Sequence, residues 1–195
     1  MKKKLFFDVD GTICKSPKRV VQIYNEEFNQ NSNWEECNKW DFSDVCPLLL
    51  DAESYFSRPD FYKNQLELTD PYIKGIISLL FISGYEIYFI TIGSKDNLEH
   101  KKNWLIEQFP YVLESNMILL EKLNMGKAEI DMQGGILIDD NYINLLTSNA
   151  DEKICMHKRT EWNEGVERSG FVRLKDSLEL YNYIIKLEKE GRFDV

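Results

Sequence analysis

The chain has 195 residues, 43% of them hydrophobic, and a formal net charge of −9, which fits one globular domain with a substantial core. The negative charge argues against tight binding to duplex nucleic acid, because that binding depends on basic surface. No run approaches the roughly 20 apolar residues of a membrane span, and no signal peptide is recognisable, so we expect a cytoplasmic protein without a membrane partner.

The first predicted strand, residues 4–9, ends in the acidic motif Asp8-Val9-Asp10-Gly11-Thr12. The apolar part of this run favours burial. Two carboxylates at its end do not, unless a metal ion or a phosphoryl group binds them. This conflict is the first indication of function.

The next stretch, residues 16–68, differs from the rest of the chain in its pattern of apolar and polar residues. Val20 to Phe28 has the apolar spacing of a helix, and a polar, aromatic-rich stretch broken by Pro47 and Pro59 follows it. We interpret residues 16–68 as a small helical insertion. The remainder, residues 1–15 and 69–195, is then one α/β domain.

From Thr69 onward the pattern alternates between helix and strand. Strands are predicted at 86–90, 117–120, 135–138 and 153–157, with helices at 70–81, 96–109, 142–146 and 177–190. Such alternation predicts a parallel sheet with helices on both faces, which is a Rossmann-like α/β fold.

Polar side chains collect at the carboxyl ends of these strands, the edge where parallel sheets bind ligands. They are Asp8, Asp10, Thr12, Thr91, Ser94, Lys127, Asp139 and Asp140. Several carboxylates at one edge repel each other unless a hard cation lies among them. Mg²⁺ suits this role, because it accepts one or two carboxylates and commonly shares its remaining positions with water and a substrate phosphate.

The same set could carry out phosphoryl transfer. One carboxylate could attack phosphorus and form an aspartyl-phosphate. A second acid two residues along could protonate the leaving oxygen and then activate water. A lysine and hydroxyl groups could hold the tetrahedral dianion.

These motifs resemble those of the phosphatases of the haloacid dehalogenase (HAD) superfamily. Residues 8–12 match the DxDG(T/V) motif, Thr91 the hydroxyl motif, Lys127 the lysine motif and Asp139-Asp140 the acidic motif. The resemblance implies a nucleophile, Asp8, and a general acid/base, Asp10. It also implies phosphate binding by Gly11, Thr91 and Lys127, and Mg²⁺ ligation by Asp8, Asp10 and Asp139, with Asp140 as a further candidate.

A narrower resemblance, to the 5'(3')-deoxyribonucleotidases and their bacterial and phage relatives, covers most of the chain. It rests on Phe89-Ile90-Thr91, Lys95, Lys101 with Trp104, and the run Ile136 to Asp140. It implies that Lys95 binds phosphate, with Lys101 as a further candidate. The chain departs from the family at Thr91-Ile92-Gly93, where the family often has Thr-Ser-Pro.

In that family the insertion after the first strand is a helical cap that covers the site and contacts the substrate. The resemblance gives this role to residues 16–68, and the aromatic residues of the cap could stack on a base. Those predicted to contact the substrate are Trp40, Phe42, Phe61 and Tyr62. The alternative is that they form only a small hydrophobic core.

The sequence therefore favours a magnesium-dependent phosphatase of deoxyribonucleoside monophosphates. One alternative is a phosphatase of sugar phosphates or another small metabolite. Another is a non-catalytic module that binds a metal and a ligand. A nucleic-acid 3'-phosphatase is disfavoured by the net charge, and a homodimer is left open. Lys122, in the same loop as Lys127, is the alternative lysine for the site.

Four cysteines form no CxxC pair, and the two histidines lack the spacing of a zinc site. We therefore expect the cysteines to be reduced and structural. The cysteine nearest the acidic motif is Cys14.

Overall fold

The protein is described by a computed structural model over residues 3–63, 66–121 and 126–192. Its strands are β1 (Lys4–Phe7), β2 (Glu86–Gly93), β3 (Met117–Glu121), β4 (Gly135–Asp139), β5 (Glu152–Met156) and β6 (Val172–Leu174). They form one parallel sheet in the order β3-β2-β1-β4-β5-β6. The predicted α/β fold with a parallel sheet is confirmed.

The register of the central strands brings together the polar residues that follow them. Phe7 of β1 lies opposite Phe89 of β2 and Ile138 of β4. The chain therefore leaves β1 at Asp8 beside the carboxyl end of β4. Both central strands are almost wholly buried, which explains their continuous apolar sequences.

The helices are α1 (Ser16–Phe28), α2 (Ala52–Phe56), α3 (Ile73–Ile82), α4 (Lys95–Gln108), α5 (Tyr142–Thr147) and α6 (Ser177–Lys189). Apolar side chains of α3, α4 and α6 join a large hydrophobic core with one face of the sheet. Leu145 of α5 belongs to a smaller core with Phe6, Ile90 and Leu137. Helices therefore cover both faces.

Three details differ from the prediction. The short strand β6 was not predicted, because it has three residues and only Leu174 is buried. The short helix α2 also lay inside a stretch without clear periodicity. Helix α3 begins at Ile73 rather than at residue 70, since the Asp70 carboxylate accepts hydrogen bonds from the Tyr72 amide and from Ser177.

The insertion, residues 16–68, contains α1, α2 and a 3₁₀ turn at Trp34–Glu36. Its buried apolar side chains belong to the same large core as one face of the sheet. The division into a core domain and a cap stays a prediction. All four cysteines are buried free thiols. Within the described ranges, no helix has the length and apolar character needed to cross a membrane.

Candidate active site

Three buried carboxylates meet where β1 and β4 end. Asp8, Asp139 and Asp140 each offer an oxygen, and these three oxygens lie within 4.8 Å of one another. Hard carboxylate oxygens are the ligands that Mg²⁺ prefers. The donor set therefore fits the cation that the sequence predicts.

Lys127 lies between two of these carboxylates. It begins a 3₁₀ turn, Lys127–Glu129, and its buried Nζ donates to Asp8 and, at 2.6 Å, to Asp139 Oδ2. Burial alone would lower the pKa of Lys127, but the two carboxylates outweigh it and raise the pKa above its ordinary value. The side chain therefore stays a cation. The alternative lysine, Lys122, lies outside the described residues.

The two residues of the acidic pair differ in their surroundings. Asp139 Oδ1 accepts from the Asn141 amide at 2.8 Å, and Asn144 Nδ2 lies 3.3 Å from Oδ1 and 3.1 Å from Oδ2. With Lys127 also on Oδ2, both oxygens of Asp139 are engaged by protein donors. Asp140 accepts from Trp162 Nε1 at 3.0 Å through Oδ2. Asp140 is thus better disposed than Asp139 to bind a cation.

Asn144 was not singled out in the sequence. It lies on α5, whose N-cap is Asn141, directly after the acidic pair. The first turn of a helix that follows a strand directly lies close to the end of that strand. The spacing Asp-Asp-Asn-x-x-Asn could therefore have indicated that Asn144 contacts the acidic pair.

The carboxylate of Asp10 is held by a tyrosine hydroxyl and a lysine ammonium. Tyr62 OH donates to Asp10 Oδ1 at 2.8 Å, and Lys101 Nζ lies 2.6 Å from Asp10 Oδ2. The same Lys101 Nζ donates to Thr91 Oγ1 at 2.8 Å, and Lys101 is fully buried. Lys101 therefore connects Asp10 with Thr91. Lys95 instead lies exposed at the first residue of α4.

Two glycines are required by close approaches. Gly11 has a φ of +76°, and a Cβ there would lie 2.3 Å from Asp140 Oδ2. A Cβ on Gly93 would lie 2.0 Å from Asn97 Oδ1. Asn97 Nδ2 in turn lies 3.2 Å from Tyr62 OH, so Gly93 leaves room for the residue that contacts Tyr62.

A cavity of about 660 Å³ opens over this cluster. Its lining includes Asp8, Asp10, Thr91, Lys101, Lys127 and Asp140, together with insertion residues that include Trp40, Asp41, Asp51 and Phe56. A cavity of this size can hold a small organic ligand. The insertion therefore forms one wall of the candidate site.

The four aromatic residues predicted to contact substrate have different positions. Trp40 lines the cavity and is 47% exposed. Tyr62 is buried and reaches Asp10 through its hydroxyl. Phe42 and Phe61 are buried in the large hydrophobic core, where Phe61 packs against Phe56 with ring centroids 4.8 Å apart.

The crowded carboxylates have raised pKa values. Burial raises the pKa of Asp8 to about 7 despite the opposing effect of Lys127, and Asp139 and Asp10 add to the rise. Burial and Asp8 raise the pKa of Asp140 well above its ordinary value. A bound divalent cation would favour the ionised carboxylates, so its binding should release protons.

This gives a pH-dependent prediction for the metal-free protein. Since the pKa of Asp8 rises from 3.8 to about 7 on folding, the folded state binds more protons than the unfolded state between these values. The contribution of Asp8 to stability therefore falls as pH rises through this window. We expect Mg²⁺ to raise the melting temperature more at pH 8 than at pH 6, as measured by calorimetry.

The control for this measurement is Asp140→Asn, which removes one cation ligand. We expect this variant to lose most of the Mg²⁺-dependent rise in melting temperature at both pH values. If Mg²⁺ raised the melting temperature of the parent protein equally at pH 6 and pH 8, this would contradict the assignment of the cation to this carboxylate cluster.

Comparisons with known proteins agree on the kind of protein that this chain resembles. The family described as "5' nucleotidase, deoxy (Pyrimidine), cytosolic type C protein" matches residues 2–188. A 5'(3')-deoxyribonucleotidase of Clostridium acetobutylicum is 27% identical over 146 residues, which is 74% of this chain and 76% of that protein.

Solved structures share the fold. A Clostridium acetobutylicum protein described as a predicted phosphatase superposes with a TM-score of 0.62 and 18% identity, covering 96% of this chain and all of that chain. A HAD-hydrolase of Bacillus subtilis, solved bound to magnesium, superposes with a TM-score of 0.54 and 14% identity, covering 93% of this chain and 98% of that chain.

Proposed function

Since the chain belongs to the 5' nucleotidase, deoxy (pyrimidine), cytosolic type C family and is a phosphatase with a HAD-like fold, we propose that it hydrolyses deoxyribonucleoside monophosphates with Mg²⁺. The observation that carries the proposal is the placement of Asp8 against Lys127, with Asp10 held by Tyr62 and Lys101. This arrangement offers a nucleophile, a cation and an acid/base at one strand end.

The proposed reaction has two steps. In the first, an Asp8 oxygen attacks phosphorus, the bond between phosphorus and the ester oxygen breaks, and protonated Asp10 gives its proton to the departing alkoxide. In the second, Asp10 takes a proton from water as that water attacks the aspartyl-phosphate. The bond between Asp8 and phosphorus then breaks, and inorganic phosphate is released.

Four groups would stabilise the transferring phosphoryl group. Lys127 and Lys101 supply positive charge, and the Thr91 hydroxyl and the backbone after Asp8 supply hydrogen bonds. Charge stabilisation in a largely buried site is the main source of rate in phosphoryl transfer. Because Lys101 also reaches Asp10, it would couple phosphate binding to the orientation of the acid/base.

Mg²⁺ would be held by Asp8 and Asp140, with the backbone carbonyl of Asp10 as the ligand implied by the HAD resemblance. Asp139 would orient Lys127, since its oxygens already accept from Lys127, Asn141 and Asn144. When bound, the cation would neutralise charge on the phosphoryl oxygens. The magnesium-bound Bacillus subtilis structure of the same fold supports this choice of cation.

The lining of the cavity favours a monophosphate with an organic leaving group. Among the described residues that line it, the cations are Lys101 and Lys127, and the insertion adds the acidic residues Asp41, Asp51 and Glu53. A second phosphate would lie near these carboxylates, and the described lining residues include no third lysine or arginine. Trp40 is exposed at the cavity and offers an aromatic surface on which a base could stack.

A substrate panel tests the proposal. With Mg²⁺ present, kcat/KM should be at least about 10-fold higher for deoxyribonucleoside monophosphates than for hexose phosphates or nucleoside diphosphates, because stacking and charge both favour the former. Phosphate release is the readout. Equal or faster turnover of sugar phosphates would favour the small-metabolite phosphatase, and no release even from an aryl phosphate would favour the non-catalytic module.

A further inference from the structure

The loop after β5, residues 157–163, contacts the segment after β1 and the acidic pair after β4. His157 Nε2 lies 2.9 Å from the carbonyl oxygen of Thr12, and Trp162 Nε1 donates to Asp140. The Glu161 amide donates to the carbonyl oxygen of Asn38 in the insertion at 3.0 Å. No residue of this loop has a role in the two proposed chemical steps.

The contact of Trp162 is specific to one carboxylate oxygen. The indole Nε1 lies 3.0 Å from Asp140 Oδ2, and Asp140 is only 5% exposed. The α carbon of Gly11 packs so closely against the same carboxylate that an added Cβ would lie 2.3 Å from Oδ2. The carboxylate is thus confined by packing on one side and by a directional hydrogen bond from Trp162.

An indole is suited to hold a cation ligand. Its N–H can donate but cannot accept, so it binds a carboxylate without competing for the cation. Residues that hydrogen-bond to metal ligands fix their orientation, and their loss typically weakens metal binding. The ring of Trp162 is itself held by an edge-on contact with Trp40, at 5.8 Å between ring centroids.

We propose that Trp162 is a positioning residue, which orients Asp140 for the divalent cation. This inference rests on the proposed function, because it assumes that Asp140 binds Mg²⁺. It assigns a role to a residue that belongs to none of the sequence motifs described above. The expected consequence is a weaker cation site when the indole N–H is removed and the aromatic ring is kept.

Trp162→Phe makes this change. Mn²⁺ can replace Mg²⁺ as a probe, and its binding to the substrate-free protein is measured by electron paramagnetic resonance. We expect Trp162→Phe to raise the dissociation constant about 10- to 100-fold. Its activity should recover at saturating Mg²⁺, since the chemical groups remain in place.

Two further variants serve as controls. Trp104→Phe makes the same change at a buried tryptophan that packs on Phe109 and does not line the cavity, and should leave Mn²⁺ affinity unchanged. Asp140→Asn should weaken Mn²⁺ binding more than Trp162→Phe does. Circular dichroism and thermal unfolding report whether each variant is folded.

A second measurement does not depend on the folding of a variant. The chain has four tryptophans, so the indole N–H region of a ¹⁵N NMR spectrum of the unmodified protein is simple. Addition of Mg²⁺ should shift the indole signal of Trp162 more than the other three. Substitution of the other tryptophans assigns that signal if Trp162→Phe is unstable.

The outcomes separate the two proposals. If Asp140→Asn weakens Mn²⁺ binding and Trp162→Phe does not, the role of Trp162 is overturned while the cation site stands. If the unmodified protein does not bind Mn²⁺, the cation site and the role of Trp162 both fail. Low activity of folded Trp162→Phe that persists at saturating Mg²⁺, with unchanged affinity, would show a purely structural role.

Discussion

Asp8→Asn should lower kcat by at least about 10³-fold with every phosphomonoester, because an amide oxygen cannot form the covalent intermediate. Asp10 lies two residues further along and is held by Tyr62 and Lys101, so the proposed general acid/base remains in place. Steady-state phosphate release with Mg²⁺ measures the effect.

The fold should survive this substitution. The carboxylate of Asp8 is crowded by Asp139 and Asp10, and burial disfavours its charged form. Removal of that charge relieves the repulsion, while Lys127 keeps its bond to Asp139. We therefore expect a melting temperature equal to or above that of the parent protein.

Asp96→Asn is the matched control, since Asp96 is exposed in the first turn of α4 and lies outside the lining of the cavity. It should retain the parental rate. Near-parental turnover by Asp8→Asn would remove Asp8 from the role of nucleophile.

Lys127→Met should lower both activity and stability. The Lys127 ammonium contacts two buried carboxylates, and no other described cation bonds to both of them. Its loss should reduce kcat/KM by about 10²- to 10³-fold, the cost of removing one charge-stabilising donor. It should also lower the free energy of unfolding by about 3 kcal/mol, because two buried acids lose their partner. Urea unfolding measures the second effect.

Lys102→Met provides the comparison. Lys102 lies on α4 with its side chain 38% exposed and pairs with Glu114 at the surface. Exposed pairs contribute little, so this variant should stay within about 1 kcal/mol of the parent protein. A Lys127→Met protein as stable and active as Lys102→Met would contradict the arrangement of the acidic cluster around Lys127.

The sequence contained enough to predict the sheet, because its central strands are continuous apolar runs that end in polar residues. The short strand β6 lacked that signal, since one of its three residues is Arg173 and it lies at the edge of the sheet. The start of α3 was misplaced because the Asp70 side chain accepts hydrogen bonds from Tyr72 and from distant Ser177. Such a tertiary contact leaves no local pattern.

The site was predictable where its residues follow strands directly. The carboxylates after β1 and β4 could be placed at one edge by the rule for parallel sheets. The positions of Tyr62 and Trp162 could not be predicted in this way. Tyr62 bonds to Asp10 and Trp162 to Asp140, each from a loop more than 20 residues away along the chain. Lys101 lies in the second turn of α4 and donates to Thr91. This contact depends on how α4 packs against β2 and β3.

The proposed mechanism requires that a phosphoryl group be transferred to Asp8, and this step can be tested by trapping the phosphorylated protein. Asp10→Asn should still accept a phosphoryl group from an aryl phosphate, whose phenolate leaves without a proton, but should hydrolyse the intermediate slowly because its general base is lost. Acid quenching followed by peptide mass spectrometry should find one phosphoryl group on Asp8. An unmodified Asp8 peptide, under conditions where the parent protein releases phosphate, would contradict the proposed mechanism.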